Sequence, residues 1–198
     1  MRLLLATRNA KKLIELRRVL DDAAVDVDLV GLDSVPTYPE APETGLTFAE
    51  NALLKAREAV RHTGLPSAAD DSGIAVDVLN GMPGVFSARW SGKHGDDLAN
   101  LQLLLAQLAD VPDEHLAAAF VCAAALVWPD GREYVVHGEM RGRLIREMRG
   151  EGGFGYDPIF VPAGWERTMA ELPPEEKDRI SHRGRAFRAL RELVDRSS

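Results

Sequence analysis

Three features of the 198-residue chain point to an α/β fold. The run at residues 2–6 is apolar after Arg2 and halts at Thr7-Arg8-Asn9, after which Leu13, Ile14, Leu16, Arg17, Val19 and Leu20 recur at helical spacing. A strand, a polar turn and a helix in that order open an α/β unit. Further on, Thr47-Phe48-Ala49-Glu50 reads as a capping box that starts a second helix, and a strand ending at Asp70-Asp71 follows it. Finally, two strand-like runs flank Pro129-Asp130-Gly131, a turn signal that folds them into a hairpin.

In chain order, the first helix is expected from about Ala10 to Asp22, and Val25, Val27, Leu29 and Val30 predict a second strand. Asp33 to Gly45 holds three prolines without periodicity and is expected to be a loop, long enough to suggest a role in function. The capped helix spans about Phe48 to His62 and stops at Gly64-Leu65-Pro66. After Asp70-Asp71, Ile74 to Leu79 reads as a separate strand, Met82 to Lys93 as a glycine-rich loop and Leu98 to Leu108 as an apolar helix. The hairpin strands run from about Ala117 to Trp128 and from Glu133 to Leu144, long enough to reach beyond one lobe. A short helix near Glu175 and a longer one from about Arg183 to Arg196 end the chain, which has no repeat and no linker.

The formal net charge of −7 argues against a general affinity for nucleic acid, whose phosphates are held by basic surfaces. An acidic protein that binds polyphosphate does so through a local basic pocket, often with a metal. The single cysteine, Cys122, lies in an apolar run and reads as a core residue in a reducing compartment. The apolar start is too short for a signal peptide or membrane span, so a cytoplasmic location is expected, without membrane association.

Two apparent nucleotide motifs fail on context. Gly150-Glu151-Gly152-Gly153-Phe154-Gly155 spells the dinucleotide fingerprint, but Tyr156-Asp157-Pro158-Ile159-Phe160-Val161 follows as a proline-broken strand rather than a helix. Ser91-Gly92-Lys93-His94 lacks the glycine and the hydroxyl residue that a phosphate-binding P-loop requires. Other stretches carry chemistry better. Asp70-Asp71-Ser72-Gly73 presents two carboxylates, suited to a magnesium ion and a phosphate, although the same letters fit a solvated loop. Thr7-Arg8-Asn9-Ala10-Lys11-Lys12 places helix amides, hydroxyl and amide donors and lysine charge at a strand end. Phe154-Gly155-Tyr156-Asp157-Pro158 combines flat rings with an acid, as a base-stacking loop or a packed turn would. Glu176 to Gly184 gathers basic and hydroxyl groups ahead of the last helix, where bare positive charge opposes the helix dipole.

Taken together, the chain resembles the non-standard purine nucleoside triphosphate pyrophosphatases, the inosine/xanthosine triphosphate hydrolases. The matching pieces occur in the family's order and span nearly the whole chain. They are Thr7-x-Asn9-x-x-Lys12, the stretch from Glu43 through Thr47, Glu50 and Asn51 to Lys55, Ala69-Asp70-Asp71-Ser72-Gly73, Phe154 to Pro158 and Ser181-His182-Arg183, with a further family-like segment from Gly81 to Arg89. The resemblance implies an elongated, two-lobed α/β fold, with a long twisted mixed sheet flanked by helices and a substrate cleft between the lobes. Residues 1–198 would form a single catalytic domain. It also implies a homodimer and magnesium-dependent hydrolysis of inosine, deoxyinosine and xanthosine triphosphates to monophosphate and pyrophosphate.

By resemblance, Thr7, Arg8, Asn9, Ala10, Lys11, Lys12 and Lys55 grip the triphosphate and Ser72 touches the substrate. Asp71 is the proton acceptor, and Glu43 with Asp71 the Mg2+ ligands, so that Asp71 is base, metal ligand or both. Phe154 stacks on the base, Gly155, Tyr156 and Asp157 complete the pocket, and Lys177, His182 and Arg183 close it and read the base edge. Arg8 departs from the family's usual small residue. The alternatives are a related pyrophosphatase acting on modified pyrimidine or methylated nucleotides, and a non-catalytic nucleotide-binding module, which would have no need of Glu43 or Asp71.

Overall fold

The computed structural model describes residues 1–21 and 28–197. The strands are β1 (Arg2–Leu5), β2 (Asp28–Val30), β3 (Ser67–Val76), β4 (Ala117–Val127), β5 (Glu133–Leu144) and β6 (Phe160–Pro162). The helices are α1 (Ala10–Asp21), α2 (Phe48–Thr63), α3 (Asp97–Gln107), α4 (Pro174–Ile180) and α5 (His182–Ser197). Of the expected second strand, Val25 and Val27 lie outside the described residues, as does Asp22 at the expected end of the first helix.

The strands form a six-stranded sheet in the order β2-β1-β3-β4-β5-β6. The sheet is mixed, since β1 pairs in parallel with β2 and β3 while β5 and β6 run antiparallel. The chain divides into two compact units. The first holds Met1–Asp71, Cys122–Gly138 and His182–Ser198, and the second Ser72–Val121 and Glu139–Ser181.

In the first unit the twofold alternation of strand side chains builds two cores. Leu3, Leu5, Ala68, Cys122, Ala124 and Leu126 pack with Leu16 of α1 and with Phe187, Leu190 and Val194 of α5. Their neighbours Leu4, Ala6, Ala69, Ala123, Ala125 and Val127 pack instead with Ala52, Ala56 and Ala59 of α2. The recurrence of alanine along α2 lets the helix lie close on the sheet. Cys122 is fully buried here, as its apolar surroundings in the sequence predicted, and burial first, then the charge of Asp70, pushes its thiol well above the ordinary range.

The second unit has one core, in which Ile74, Val76, Leu101, Leu104, Phe120, Met140, Tyr156 and Phe160 meet. Asp96 caps α3, its carboxylate accepting from the amide of Ala99 at 3.3 Å.

One expectation is corrected. The strand ending at Asp70-Asp71 and the separate strand from Ile74 are a single strand, β3, which runs unbroken from Ser67 to Val76 before Asp77–Leu79 turns as a 3-10 helix. Carboxylates and glycine are poor strand formers and read as a stop, yet lysine and arginine side chains satisfy the two aspartates where they stand. The Met82 to Lys93 stretch also contains more order than a loop, with a 3-10 helix at Gly84–Arg89.

Candidate active site

In the first unit, charged side chains gather around the two aspartates of β3. α2 begins as the sequence predicts: Thr47 Oγ1 accepts from the Glu50 amide at 3.1 Å and Glu50 Oε2 accepts from the Thr47 amide at 3.1 Å. With the helix fixed by its cap, Lys55 reaches the end of β3 and the loop before α2. Its Nζ stands 2.7 Å from Glu43 Oε1 and 3.0 Å from Asp71 Oδ1, and donates to the Asp70 carbonyl at 3.1 Å. The ammonium thus lies between two carboxylates. Burial works against its charge, but Asp71, Asp70 and Glu43 outweigh that and drive its pKa upward. Asn51, four residues earlier on the same helix face, donates through Nδ2 to the other oxygen of Asp71 at 3.1 Å.

The two aspartates differ in character. Asp70 is almost wholly buried, and burial alone would raise its pKa; Lys12, Arg183 and Lys55 reverse this and hold it at about 2. Lys12 donates to Asp70 Oδ2 at 2.8 Å, while Arg183 Nε stands 3.7 Å from the same oxygen. Asp71 has a raised pKa, because burial together with Glu43 outweighs Lys55 and Lys12. A carboxylate of raised basicity is what a general base needs.

At the start of α1, Asn9 Oδ1 accepts from the amides of Lys11 and Lys12 at 3.0 and 3.2 Å. The side chain of Asn9 therefore caps the helix, and two of the amides expected to face a ligand are already occupied. Thr7 is half-buried, with its hydroxyl accepting from the Asn9 amide at 3.3 Å, and Ala10 is exposed. Arg8 is turned toward the Asp33–Gly45 loop: it donates to the Tyr38 carbonyl at 2.7 Å, lies over the Tyr38 ring at 5.6 Å and stands 3.6 Å from Glu40.

At the start of α5, His182 is buried, and Arg183 makes a buried ion pair with Glu15 of α1 at 2.8 Å. This brings Arg183 to the Asp70 cluster. Glu15 and Asn51 belong to the polar network, but neither had a role in the site from sequence alone: Asn51 stood only within the family motif, and Glu15 was not singled out. The available signal was spacing, since Glu15 follows Lys12 by three residues and Asn51 precedes Lys55 by four.

The second unit carries the aromatic loop. Gly153 has φ +71°, a left-handed conformation suited to glycine. It lets the chain turn so that Asp157 Oδ2 accepts from the Phe154 amide at 2.8 Å. The same oxygen accepts from Lys177 Nζ at 2.7 Å in a buried ion pair, and that ammonium lies 5.1 Å from the centre of the Phe154 ring. The Gly155 amide donates to Asp97 Oδ2 at 3.1 Å. Tyr156 is buried and donates to the Ser87 carbonyl at 2.9 Å, so its hydroxyl anchors the loop. Burial, then Asp97, raises its pKa. Phe154 remains half-buried, with area left for a stacking partner, and Ser72 is half-buried on β3.

The Ham1 family model matches residues 3–193. A protein named dITP/XTP pyrophosphatase from Nocardia farcinica is 65% identical over 201 residues, which covers 99% of this chain and 98% of that one. The structure of a nucleoside-triphosphatase, also named dITP/XTP pyrophosphatase, from Mycobacterium abscessus is 63% identical with a TM-score of 0.79, covering 96% of this chain and 98% of the other. A HAM1 protein from Coxiella burnetii is 41% identical with a TM-score of 0.88, covering 99% of both chains. Sequence and backbone agree with these relatives over almost the full length. The chain belongs to the Ham1 family.

Proposed function

We propose that this protein hydrolyses non-standard purine nucleoside triphosphates (ITP, dITP and XTP) to the monophosphate and pyrophosphate, clearing deaminated purines from the nucleotide pool. One observation carries the reading: Lys55 Nζ lies 2.7 Å from Glu43 and 3.0 Å from Asp71, so two carboxylates are already gathered about a cation. A binding module would have no use for that arrangement. The names of the relatives support the substrate class.

Magnesium is the proposed cofactor. Among the described residues, no group of three or more histidine, cysteine, aspartate or glutamate side chains could hold a metal ion. Two carboxylates nevertheless fit Mg2+, a hard cation commonly held by one or two acids while phosphate oxygens and waters complete its shell. When bound, the ion would neutralise charge on the phosphates and the pyrophosphate leaving group.

The remaining work falls to side chains. Asp71 takes the proton of the attacking water, and its raised pKa makes it a stronger base than an ordinary aspartate. Lys12, Lys55 and the Thr7–Lys12 turn neutralise and orient the triphosphate, with Ser72 as a further contact. Phe154 stacks on the base. Asp157 and Lys177, already paired, hold the loop and its ring in place, and Gly155 and Tyr156 fix the backbone. His182 and Arg183 complete the recognition of the base edge. Donors arranged for a 6-keto group would be left unpaired by a 6-amino purine, a mismatch that sites of this kind reject by roughly 10⁴-fold or more. The proposal extends to a homodimer in the cytoplasm with residues 1–198 as one catalytic domain.

A pyrophosphate-release assay with ITP, dITP, XTP, ATP and GTP, with and without Mg2+, tests it. The first three should give monophosphate and pyrophosphate only when the metal is present. Equal turnover of ATP, or orthophosphate as the primary product, would overturn the reading.

A further inference from the structure

We infer that Asn51 is a positioning residue for the hydrolytic step, holding the Glu43 loop and the Asp71 carboxylate in fixed relation to each other. The inference rests on the assignment of Glu43 and Asp71 made above.

Asn51 is out of place by local criteria. It lies in the early part of α2 with a fully buried side chain, on a helix whose sheet-facing residues are the alanines Ala52, Ala56 and Ala59. Asparagine is a weaker helix former than alanine. Burying its carboxamide without partners would be unfavourable. Both ends of the carboxamide are nevertheless engaged. Oδ1 accepts from the Gly45 amide at 2.8 Å, and Nδ2 donates to Asp71 Oδ2 at 3.1 Å. The orientation of the carboxamide is set by its partners, because the Gly45 amide can only donate and an ionised carboxylate can only accept.

Gly45 lies two residues after Glu43 in the irregular loop, and the intervening Thr44 amide donates to the Pro42 carbonyl at 2.9 Å. A Cβ at position 45 would come within 2.7 Å of both Asn51 Oδ1 and Glu50 Cβ, so the close approach requires glycine. The loop is therefore seated directly on Asn51, while the opposite end of the same side chain holds β3 through Asp71.

Asp71 has two kinds of donor. Lys55 is a cation on Oδ1, shared with Glu43; Asn51 is a neutral donor on Oδ2. A second cation arriving between the acids repels an ammonium but leaves a carboxamide in place. Asn51 thus keeps Asp71 in one orientation whichever cation stands at its other oxygen. It acts through Asp71 and Glu43 and needs no contact with the nucleotide.

The decisive variant is Asn51→Asp. It is nearly isosteric and keeps an acceptor for the Gly45 amide, but it replaces the donor to Asp71 with a carboxylate oxygen that sets like charge against that aspartate. With dITP, kcat should fall roughly 10- to 100-fold, the usual effect of losing an outer partner of a metal-binding group, while KM stays within about threefold. In Asn51→Ala, Mn2+ titration of the nucleotide-free protein by electron paramagnetic resonance should show binding weakened by about tenfold or more. The Gly45 amide of that variant should exchange its hydrogen faster. If Asn51→Ala does not fold, as judged by circular dichroism, Asn51→Asp alone carries the test. A kcat of Asn51→Asp within about threefold of the parent, or a loss lying wholly in KM, would overturn the role. Unchanged Mn2+ binding by a folded Asn51→Ala would also overturn it. Glu43→Gln and Asp71→Asn serve as controls: full activity and Mn2+ binding in both would instead reject the assignment of those acids.

Discussion

The charged cluster of the first unit and the aromatic loop of the second both bury ion pairs, but they do so in different ways. In the first, the pairs are shared: Lys55 serves Glu43 and Asp71 together, and Asp70 draws on both Lys12 and Arg183. Under the proposed function, such shared pairs are the ones that a triphosphate and a metal would rearrange. In the second, Lys177 and Asp157 form one close pair at 2.7 Å, and the same carboxylate oxygen also holds the Phe154 amide. This arrangement is a fixed support. Under the proposed function, chemistry would be carried by exchangeable partners and base recognition by a loop that is already built.

Substitutions can break or sharpen this contrast. The largest effect is expected for Asp71→Asn, which should lower kcat by roughly 10²- to 10⁴-fold, the usual range for a lost general base, while calorimetry still detects nucleotide binding. Activity near that of the parent would remove Asp71 from the chemistry. Next, Lys177→Met should act on stability, because it leaves the Asp157 carboxylate buried without its cation. Breaking a buried pair in this way costs about 3–5 kcal/mol. A melting temperature unchanged in this variant would show that the pair is not a support.

Phe154→Ala should be milder. Loss of base stacking is worth about 1–3 kcal/mol and should appear mainly as a higher KM. A change confined to kcat would place the ring elsewhere in the reaction.

The last effect appears only at acid pH, and it separates Asp70 from Asp71. The folded-state pKa of Asp70, about 2, lies below the value near 3.9 of an unfolded aspartate. Its stabilising contribution is therefore present above pH ~4 and is lost as pH falls through about 2, amounting to about 2–3 kcal/mol in all. In urea unfolding, the stability gap between the parent and Asp70→Asn should narrow across that window. A gap independent of pH would mean that the charges of Lys12 and Arg183 do not act on Asp70 as the distances imply.

Much of this was legible in the sequence. The α/β class, the capping box at Thr47 and Glu50 and the burial of Cys122 all follow from local pattern, because periodicity and capping depend on residues close together in the chain. The motifs that carry the family resemblance were readable for the same reason, and they singled out Glu43, Lys55 and Asp71, which the structure gathers into one charged cluster, and Phe154 and Asp157, which it joins in one loop. The continuity of β3 was not legible. Its acidic centre reads as a break until Lys12, 58 residues from Asp70, and Lys55, 16 residues from Asp71, satisfy it. Nor could pattern show that Arg8 turns to Tyr38, that Arg183 pairs with Glu15 168 residues away, or that Tyr156 gives its hydroxyl to a carbonyl.

The opening contrast has the same origin. The sequence by itself determined which charged and aromatic residues would be present and on which elements they would ride. Only the tertiary structure decided which charges are shared among several carboxylates and which sit in one close buried pair. Partner choice is set by the distance between side chains on separate elements and by how fully packing excludes water around them, and no local pattern encodes either.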